Sequence, residues 1–247
     1  MMTVVSDPLM DRINLNSYDS GGIAIIFGAS GGIGRALLET LTSMGHFKRV
    51  LGFSRQTAIP FDFSDEKSMQ RAIEHSCDQG EIRLAIDVTG FLHSEGRKPE
   101  KTWQELDPQH LAHLFHINAI GPAILMKHIL PRLPRSGKTT FATLSARVGS
   151  INDNRLGGWY GYRASKAALN QLVRTASIEL KRRAPEAICV ALHPGTVTTP
   201  LSAPFTKSIH NALTPFQAAY NLLTVVENLD SNKTGGFFDW RGEEVPW

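Results

Sequence analysis

Short apolar runs alternate with longer amphipathic ones along almost the whole chain. The runs at 22–28, 49–54, 58–61, 82–88, 139–145, 187–193 and 236–240 have the length of strands. The segments 33–44, 65–77, 108–130, 160–183 and 215–226 read as helices. Alternation of this kind is the signature of a parallel sheet built from βαβ units. The pattern predicts one α/β domain over 21–247, a doubly wound seven-stranded parallel sheet flanked by helices, behind a polar arm at 1–20. Ligands of such sheets bind beyond the carboxyl ends of the strands. Gly28, Arg55, Asp62, Gly90, Ser145 and Pro194 all fall at or just after a predicted strand end. The chemistry should therefore gather along one edge of the sheet.

Composition narrows the class. An apolar content of 42% suffices for a full core. A net charge of +3, from 26 basic and 23 acidic residues, is too balanced to argue for nucleic acid or a membrane surface. Lys181-Arg182-Arg183 and the arginines at 132 and 135 follow predicted helices, where cations offset the negative helix end. Cys77 and Cys189 are far apart and lack metal spacing, which suggests a reducing compartment. Met1 to Ser20 lacks the apolar stretch of a secretion signal, and no run is long enough to span a membrane. The expected location is the cytosol. His110, His113 and His116 recur every third residue, so on a helix they spiral rather than converge, and no metal site is expected.

Gly28-Ala29-Ser30-Gly31-Gly32-Ile33-Gly34 follows the first apolar run and opens a helix. Such a turn lets a pyrophosphate approach backbone amides, and the helix start offers unpaired N–H groups and partial positive charge. Gly28, Ser30, Gly32, Ile33 and Gly34 are the candidate contacts. The next strand ends in Ser54-Arg55, where dinucleotide sites often carry an acidic residue for the ribose 2′-hydroxyl. A guanidinium here would grip a 2′-phosphate, so NADP(H) is expected over NAD(H). Asp62 and Phe63 are candidates for the adenine; helix capping at Ser64 or Asp65 explains the same neighbourhood.

Tyr162 and Lys166 lie four apart at the start of a long helix, hence on one face. A cation about 4 Å from a phenol, at an effective dielectric of ~20, contributes roughly 4 kcal/mol, enough to bring its pKa from about 10 toward neutrality. The pair is expected to act as a general acid–base. Ser145, at the end of a central strand, would donate to the substrate oxygen. In His116-Ile117-Asn118-Ala119-Ile120-Gly121-Pro122, Pro122 has no N–H to offer the carbonyl of Asn118. That carbonyl could hold a water leading toward Lys166, or the proline could simply kink a buried helix.

Together these motifs resemble the classical short-chain dehydrogenase/reductases, over nearly the whole chain from Gly21. The segments carrying the likeness are the GASGGIG turn, Asn118-Ala119-Ile120-Gly121-Pro122, Ser145, Tyr162-Arg163-Ala164-Ser165-Lys166 and the run from His193 to Pro200. The tail Phe238-Asp239-Trp240-Arg241-Gly242 and Gly90-Phe91-Leu92-His93 are similar to its C-factor-like branch. The resemblance implies a Rossmann-type fold and a catalytic tetrad of Asn118, Ser145, Tyr162 and Lys166. It also implies that Tyr162 and Lys166 touch the cofactor, and that Pro194, Gly195, Val197 and Thr198 line the nicotinamide end. Asp87-Val88-Thr89-Gly90 departs from the family's Asn-Asn-Ala-Gly. Gly90 keeps close approach possible, and Asp87 or Thr89 would have to replace the lost asparagine.

The implied reaction is hydride transfer between NADP(H) and a small carbonyl or alcohol substrate, in a homodimer or homotetramer. The rival is a regulatory, NADP-binding protein with little turnover. An epimerase of the extended family would need a larger C-terminal part. A substrate loop is expected over 196–214, with Leu201, Phe205 and Ile209 shaping specificity; Trp159 is a candidate for the pocket wall or the core.

Overall fold

A computed structural model of the chain describes residues 13–206 and 212–247. Six parallel strands form one sheet in the order β2-β1-β3-β4-β5-β6. They are β1 (Ile23–Phe27), β2 (Arg49–Phe53), β3 (Ile82–Asp87), β4 (Thr139–Leu144), β5 (Ala187–His193) and β6 (Phe237–Asp239). The helices are α1 (Gly32–Met44), α2 (Glu66–Gln79), α3 (Pro108–Phe115), α4 (Gly121–Ile129), α5 (Tyr160–Arg183), the short α6 (Ala203–Thr206) and α7 (Pro215–Asn228).

Both faces of the sheet are covered, so its strands read as continuous apolar runs rather than alternating ones. Along β1 the side chains divide by parity. Ile23, Ile25 and Phe27 enter a core with Met69 of α2, Leu125 of α4 and Leu169 of α5. Ala24 and Ile26 enter a second core with Leu37 of α1 and Leu222 of α7. The chain order reverses at β1, which has β2 on one side and β3 on the other. That switch opens a crevice at the strand ends, where the Gly28 and Gly90 loops meet.

The third of the seven predicted strands, 58–61, does not form, which leaves six. Thr57 Oγ1 donates toward the carbonyls of Ser54 (2.7 Å) and Ile59 (2.7 Å) and accepts from Ser54 N–H at 3.0 Å. Phe61 N–H also returns to the Ser54 carbonyl, at 3.0 Å. The segment satisfies itself as a loop, and Pro60 has no N–H to give a neighbouring strand. Phe61 is buried all the same, 4.8 Å from the Phe27 ring. The apolar signal was sound and the strand assignment was not.

The helix expected over 108–130 is broken in kind rather than in direction. Between α3 and α4 lies a π-helical turn, His116–Ile120, closed by Gly121 N–H onto the His116 carbonyl. The N-terminal arm, as far as it is described, is packed rather than loose. Leu15 and Tyr18 are buried, and the Tyr18 hydroxyl shares a 2.7 Å hydrogen bond with Thr140 on β4. Residues 1–12 lie outside the described residues. The basic end of α5 is tied down: Arg183 donates to the carbonyls of Leu130, Pro131 and Leu133. No described helix is long and apolar enough to cross a membrane.

Candidate active site

The turn after β1 is shaped by main chain. Gly28 adopts φ 86°, a left-handed conformation that favours glycine. A methyl group on Gly34 would meet the Gly28 carbonyl oxygen at 2.2 Å, so the first turn of α1 sits directly on the loop. The start of α1 is capped by Gly31 without a side-chain hydrogen bond. Its leading N–H groups therefore face the crevice with no acceptor from a cap. Ser30 is exposed there, with Gly32 and Ile33 half-buried beside it.

Beyond β2, Ser54 is buried and its hydroxyl accepts from Gln56 N–H. Arg55 is exposed and has no ion pair or hydrogen bond among the described residues. Asp62 accepts from Ser64 N–H at 2.8 Å, and its own N–H goes to Ser68 Oγ. The Phe63 ring packs on Gly121, whose added methyl group would strike it at 2.3 Å. At Phe63 only the main chain can face a nucleotide, because the ring belongs to the core.

Beyond β3, Gly90 is exposed beside Asn118 and Lys166. A methyl group there would lie 3.6 Å from Asn118 Oδ1 and 3.8 Å from Lys166 Nζ, ordinary contacts. The protein's own packing does not demand glycine here. The crevice thus offers an α1 start without a side-chain cap, an exposed Arg55 and an open loop at Gly90.

At the other end, α5 brings Tyr162 and Lys166 onto one face, with Nζ 5.9 Å from the centre of the phenol ring. The same ammonium donates to the Leu144 carbonyl at 2.8 Å. Burial pushes the Lys166 pKa down to about 8, opposed by the Asp87 carboxylate. Burial pushes Tyr162 up to about 12. The expected acidification of the phenol is thus not found. The ammonium is drawn to Leu144 and its field is shared with Asp87, so desolvation of the phenolate wins.

Asp87 is where the departure from the family pattern matters. Its carboxylate is buried and accepts from Thr89 N–H (3.0 Å), Thr89 Oγ1 (2.6 Å) and Thr143 Oγ1 (2.7 Å). Burial raises its pKa against those hydrogen bonds and the charge of Lys166. Asp87 thus holds Thr89 on its own loop and, through Thr143, ties β3 to β4.

Asn118 sits on the π turn, a local irregularity found often at functional sites. Its side chain clasps the Gly90 loop: Oδ1 accepts from Phe91 N–H at 2.9 Å, and Nδ2 donates to the Phe91 carbonyl at 2.8 Å and to Ser165 Oγ at 3.2 Å. Ser145 is buried and donates from Oγ to Asn170 Oδ1 at 2.7 Å. Asn170 was missed in the sequence, though 162, 166 and 170 are spaced by four and share a helix face. Its Nδ2 is buried without a partner. With the amide turned over, that N–H would donate to Ser145 and release the hydroxyl hydrogen toward a substrate.

Of these groups, Ser145 and Tyr162 line a cavity of about 480 Å³ that also takes in Pro194, Gly195 and Val197, while the buried Lys166, Asp87, Asn118 and Asn170 stand behind its wall. Gly195 has φ 81° and abuts Trp240, and the exposed Thr198 is anchored by its N–H to the Leu213 carbonyl at 2.9 Å. Trp159 belongs to the wall: its ring centre is 6.2 Å from Tyr162 and 5.0 Å from Phe205. It has φ 53°, the only positive value outside glycine among the described residues. Its N–H is held by the Glu100 carbonyl and its carbonyl accepts from Arg163 N–H. Leu201 lies on the rim, its carbonyl 2.9 Å from His93 Nε2. Ile209 lies outside the described residues. His193, in the floor, has its pKa pushed down to about 4 by burial, so the ring is neutral.

A family model described as short chain dehydrogenase matches residues 22–209. The C-signal protein of Myxococcus xanthus is 38% identical over 145 residues, covering 58% of this chain and 82% of that protein. The 1-hydroxy-2-glutathionyl-2-methyl-3-butene dehydrogenase of a Rhodococcus strain is 34% identical over 142 residues, 58% of this chain and 61% of that one. Among solved structures, an NADPH-bound carbonyl reductase from chicken fatty liver superposes with a TM-score of 0.81 at 24% identity, over 92% of this chain and 94% of its own. A carbonyl reductase from Pseudomonas aeruginosa gives 0.73 at 27% identity, over 92% and 100%.

Proposed function

Because this chain belongs to the short chain dehydrogenase family, in its C-factor-like branch, we propose that it is an NADPH-dependent reductase of small carbonyl compounds, or the reverse alcohol dehydrogenase. One arrangement carries this reading: Tyr162 and Ser145 meet in one cavity beside Pro194 and Gly195, with Lys166 on the same helix face behind the phenol. NADPH, when bound, supplies the hydride for the carbonyl carbon. Everything else falls to side chains. Tyr162 stays protonated across neutral pH, so its hydroxyl is ready to give a proton to the carbonyl oxygen. Ser145 donates to the same oxygen and polarises it. Lys166, charged below about pH 8, stabilises the phenolate left behind, and the Asp87 carboxylate favours retention of that charge. Asn118 acts by position, holding the Gly90 loop against the first turns of α5.

Cofactor choice rests on Arg55. A 2′-phosphate laid beside the end of β2 would meet an unpaired guanidinium and no carboxylate at Ser54. Ser54, Asp62 and the Phe63 main chain would complete the adenosine end, and Val197 and Thr198 the nicotinamide end.

The test is Tyr162→Phe assayed by NADPH oxidation across a panel of aldehydes and ketones. Turnover should fall by about 10²–10⁴, while NADPH affinity, read by fluorescence of the bound nucleotide, stays within about twofold. A variant with near-normal turnover would remove Tyr162 from the chemistry. A wild-type protein that binds NADPH but oxidises it with no carbonyl would favour the second reading, a nucleotide-binding regulatory protein, to which the likeness to C-signal gives support.

A further inference from the structure

We infer that the substrate carries an anionic group, a carboxylate in the simplest form, on the far side of an apolar body from its carbonyl, and that Arg155 selects it. This rests on the reductase reading of the same cavity. Three guanidiniums line the cavity, those of Arg147, Arg155 and Arg163, against a single carboxylate, Asp153. Asp153 is already engaged: Oδ2 accepts from Arg147 Nε at 2.6 Å. Arg163 donates to the carbonyls of Gly158, Val148 and Gly157, which orient the guanidinium without cancelling its charge. Arg155 makes no hydrogen bond or ion pair among the described residues, although its charge, after that of Arg147, helps hold the Asp153 pKa down. The remaining titratable groups of the lining add no negative charge, since His193 is neutral and Tyr162 protonated near pH 7. The lining residues therefore carry two positive charges in excess, with Asp239 and Glu243 acting on Arg147 from outside the lining.

The less exposed part of the lining differs in kind: Leu92 and Val197 are buried, and the half-buried Trp159 stands against both Tyr162 and Phe205, whereas Asp153 and Arg155 are exposed. A ligand matching both parts has its carbonyl at Tyr162, an apolar or aromatic middle against Trp159 and Phe205, and an anion at the rim. A planar guanidinium whose N–H groups are not engaged is the side chain best suited to a carboxylate, because it can donate two parallel hydrogen bonds. Arg155 is exposed, so its effect should be selective rather than large.

Two probes of one skeleton test this, 4-carboxybenzaldehyde and its methyl ester, which differ in charge. With NADPH saturating, the acid should be favoured in kcat/KM by about tenfold at low salt, and the preference should shrink toward unity near 0.5 M salt as screening shortens to a few ångström. Arg155→Glu should bring the acid-to-ester ratio to about one or below. Asp153→Asn, which leaves Arg147 without its carboxylate partner, should move the ratio the opposite way. A ratio near one in the wild type, or one that Arg155→Glu leaves in place, overturns the inference while ester turnover keeps the reductase reading intact. A second measurement is independent of turnover: calorimetric titration of the NADPH-loaded protein with 4-(hydroxymethyl)benzoate and its methyl ester, alcohols that cannot accept hydride from the reduced nucleotide. The acid should bind about tenfold tighter in the wild type and lose that margin in Arg155→Glu. Equal binding overturns the inference. Tighter acid binding without reduction of either aldehyde upholds the anion site and defeats the reductase reading instead.

Discussion

Main chain builds one half of the crevice above the sheet, and buried side chains build the other. At the end bounded by Gly28, Gly34 and Gly90, what a ligand would meet is carbonyls, amides and open space left by absent side chains. At the end bounded by Ser145, Tyr162 and Lys166, it would meet polar groups held away from water, each oriented by another: Lys166 by Leu144, Ser145 by Asn170, Asp87 by two threonines. The first half depends on backbone geometry, so the smallest added group should damage it. The second depends on hydrogen bonding and charge, so substitutions of equal volume should damage it most.

Four experiments can break or sharpen that contrast. The largest effect is expected at Gly34→Ala. Alanine in a helix is ordinarily favoured over glycine by about 1 kcal/mol. Here the new methyl group would meet the Gly28 carbonyl oxygen at 2.2 Å. We expect a net loss of about 3 kcal/mol in denaturant stability together with weakened cofactor binding. A stabilised variant would show that the turn is not set by close approach. Next comes Arg55→Asp, which should weaken NADPH by about a hundredfold and NADH far less, measured by nucleotide fluorescence. Equal losses for both nucleotides would separate Arg55 from the 2′-phosphate.

His193 gives a pH test in the side-chain half. Its folded pKa, about 4, lies below its ordinary value of 6.5, because burial disfavours the charged ring. The unfolded chain therefore takes up the proton first as pH falls. The resulting stability is fully present above about pH 6.5 and is lost as pH drops toward 4. At pH 5 the loss should approach about 2 kcal/mol. His193→Gln should flatten that part of the pH–Tm curve, and an unchanged slope would show that the ring is already solvated. The smallest effect is expected at Asn170→Ala, which removes the partner of Ser145 Oγ. Here kcat should fall by about tenfold with NADPH affinity preserved. A loss confined to KM would mean that Asn170 shapes binding and leaves the polarising group alone.

The same contrast explains what could be read from the sequence. The Gly28 turn and the Tyr162–Lys166 spacing were legible because each is local: one strand end, one helix face. Six of the strands were legible in the alternation of apolar and amphipathic runs, whereas their order across the sheet came only from the structure. The segment 58–61 misled because its apolar residues do reach the core, while Thr57 and Ser54 capture its hydrogen bonds at short range. Leu15 and Tyr18 were hidden in a polar arm whose average composition concealed two anchors. Asn170 could have been found by extending the period of four one step further. The phenol was misjudged for a different reason. Its pKa depends on how deeply α5 is buried and on where the ammonium points, and neither is written in the spacing of two residues.

The indole of Trp159 stands against Tyr162 and Phe205 while its backbone opens α5 in a left-handed twist. Wall and helix start are thus a single lever. The side chain that meets a guest and the backbone that starts α5 are one residue, so a substitution at 159 alters cavity wall and helix start together.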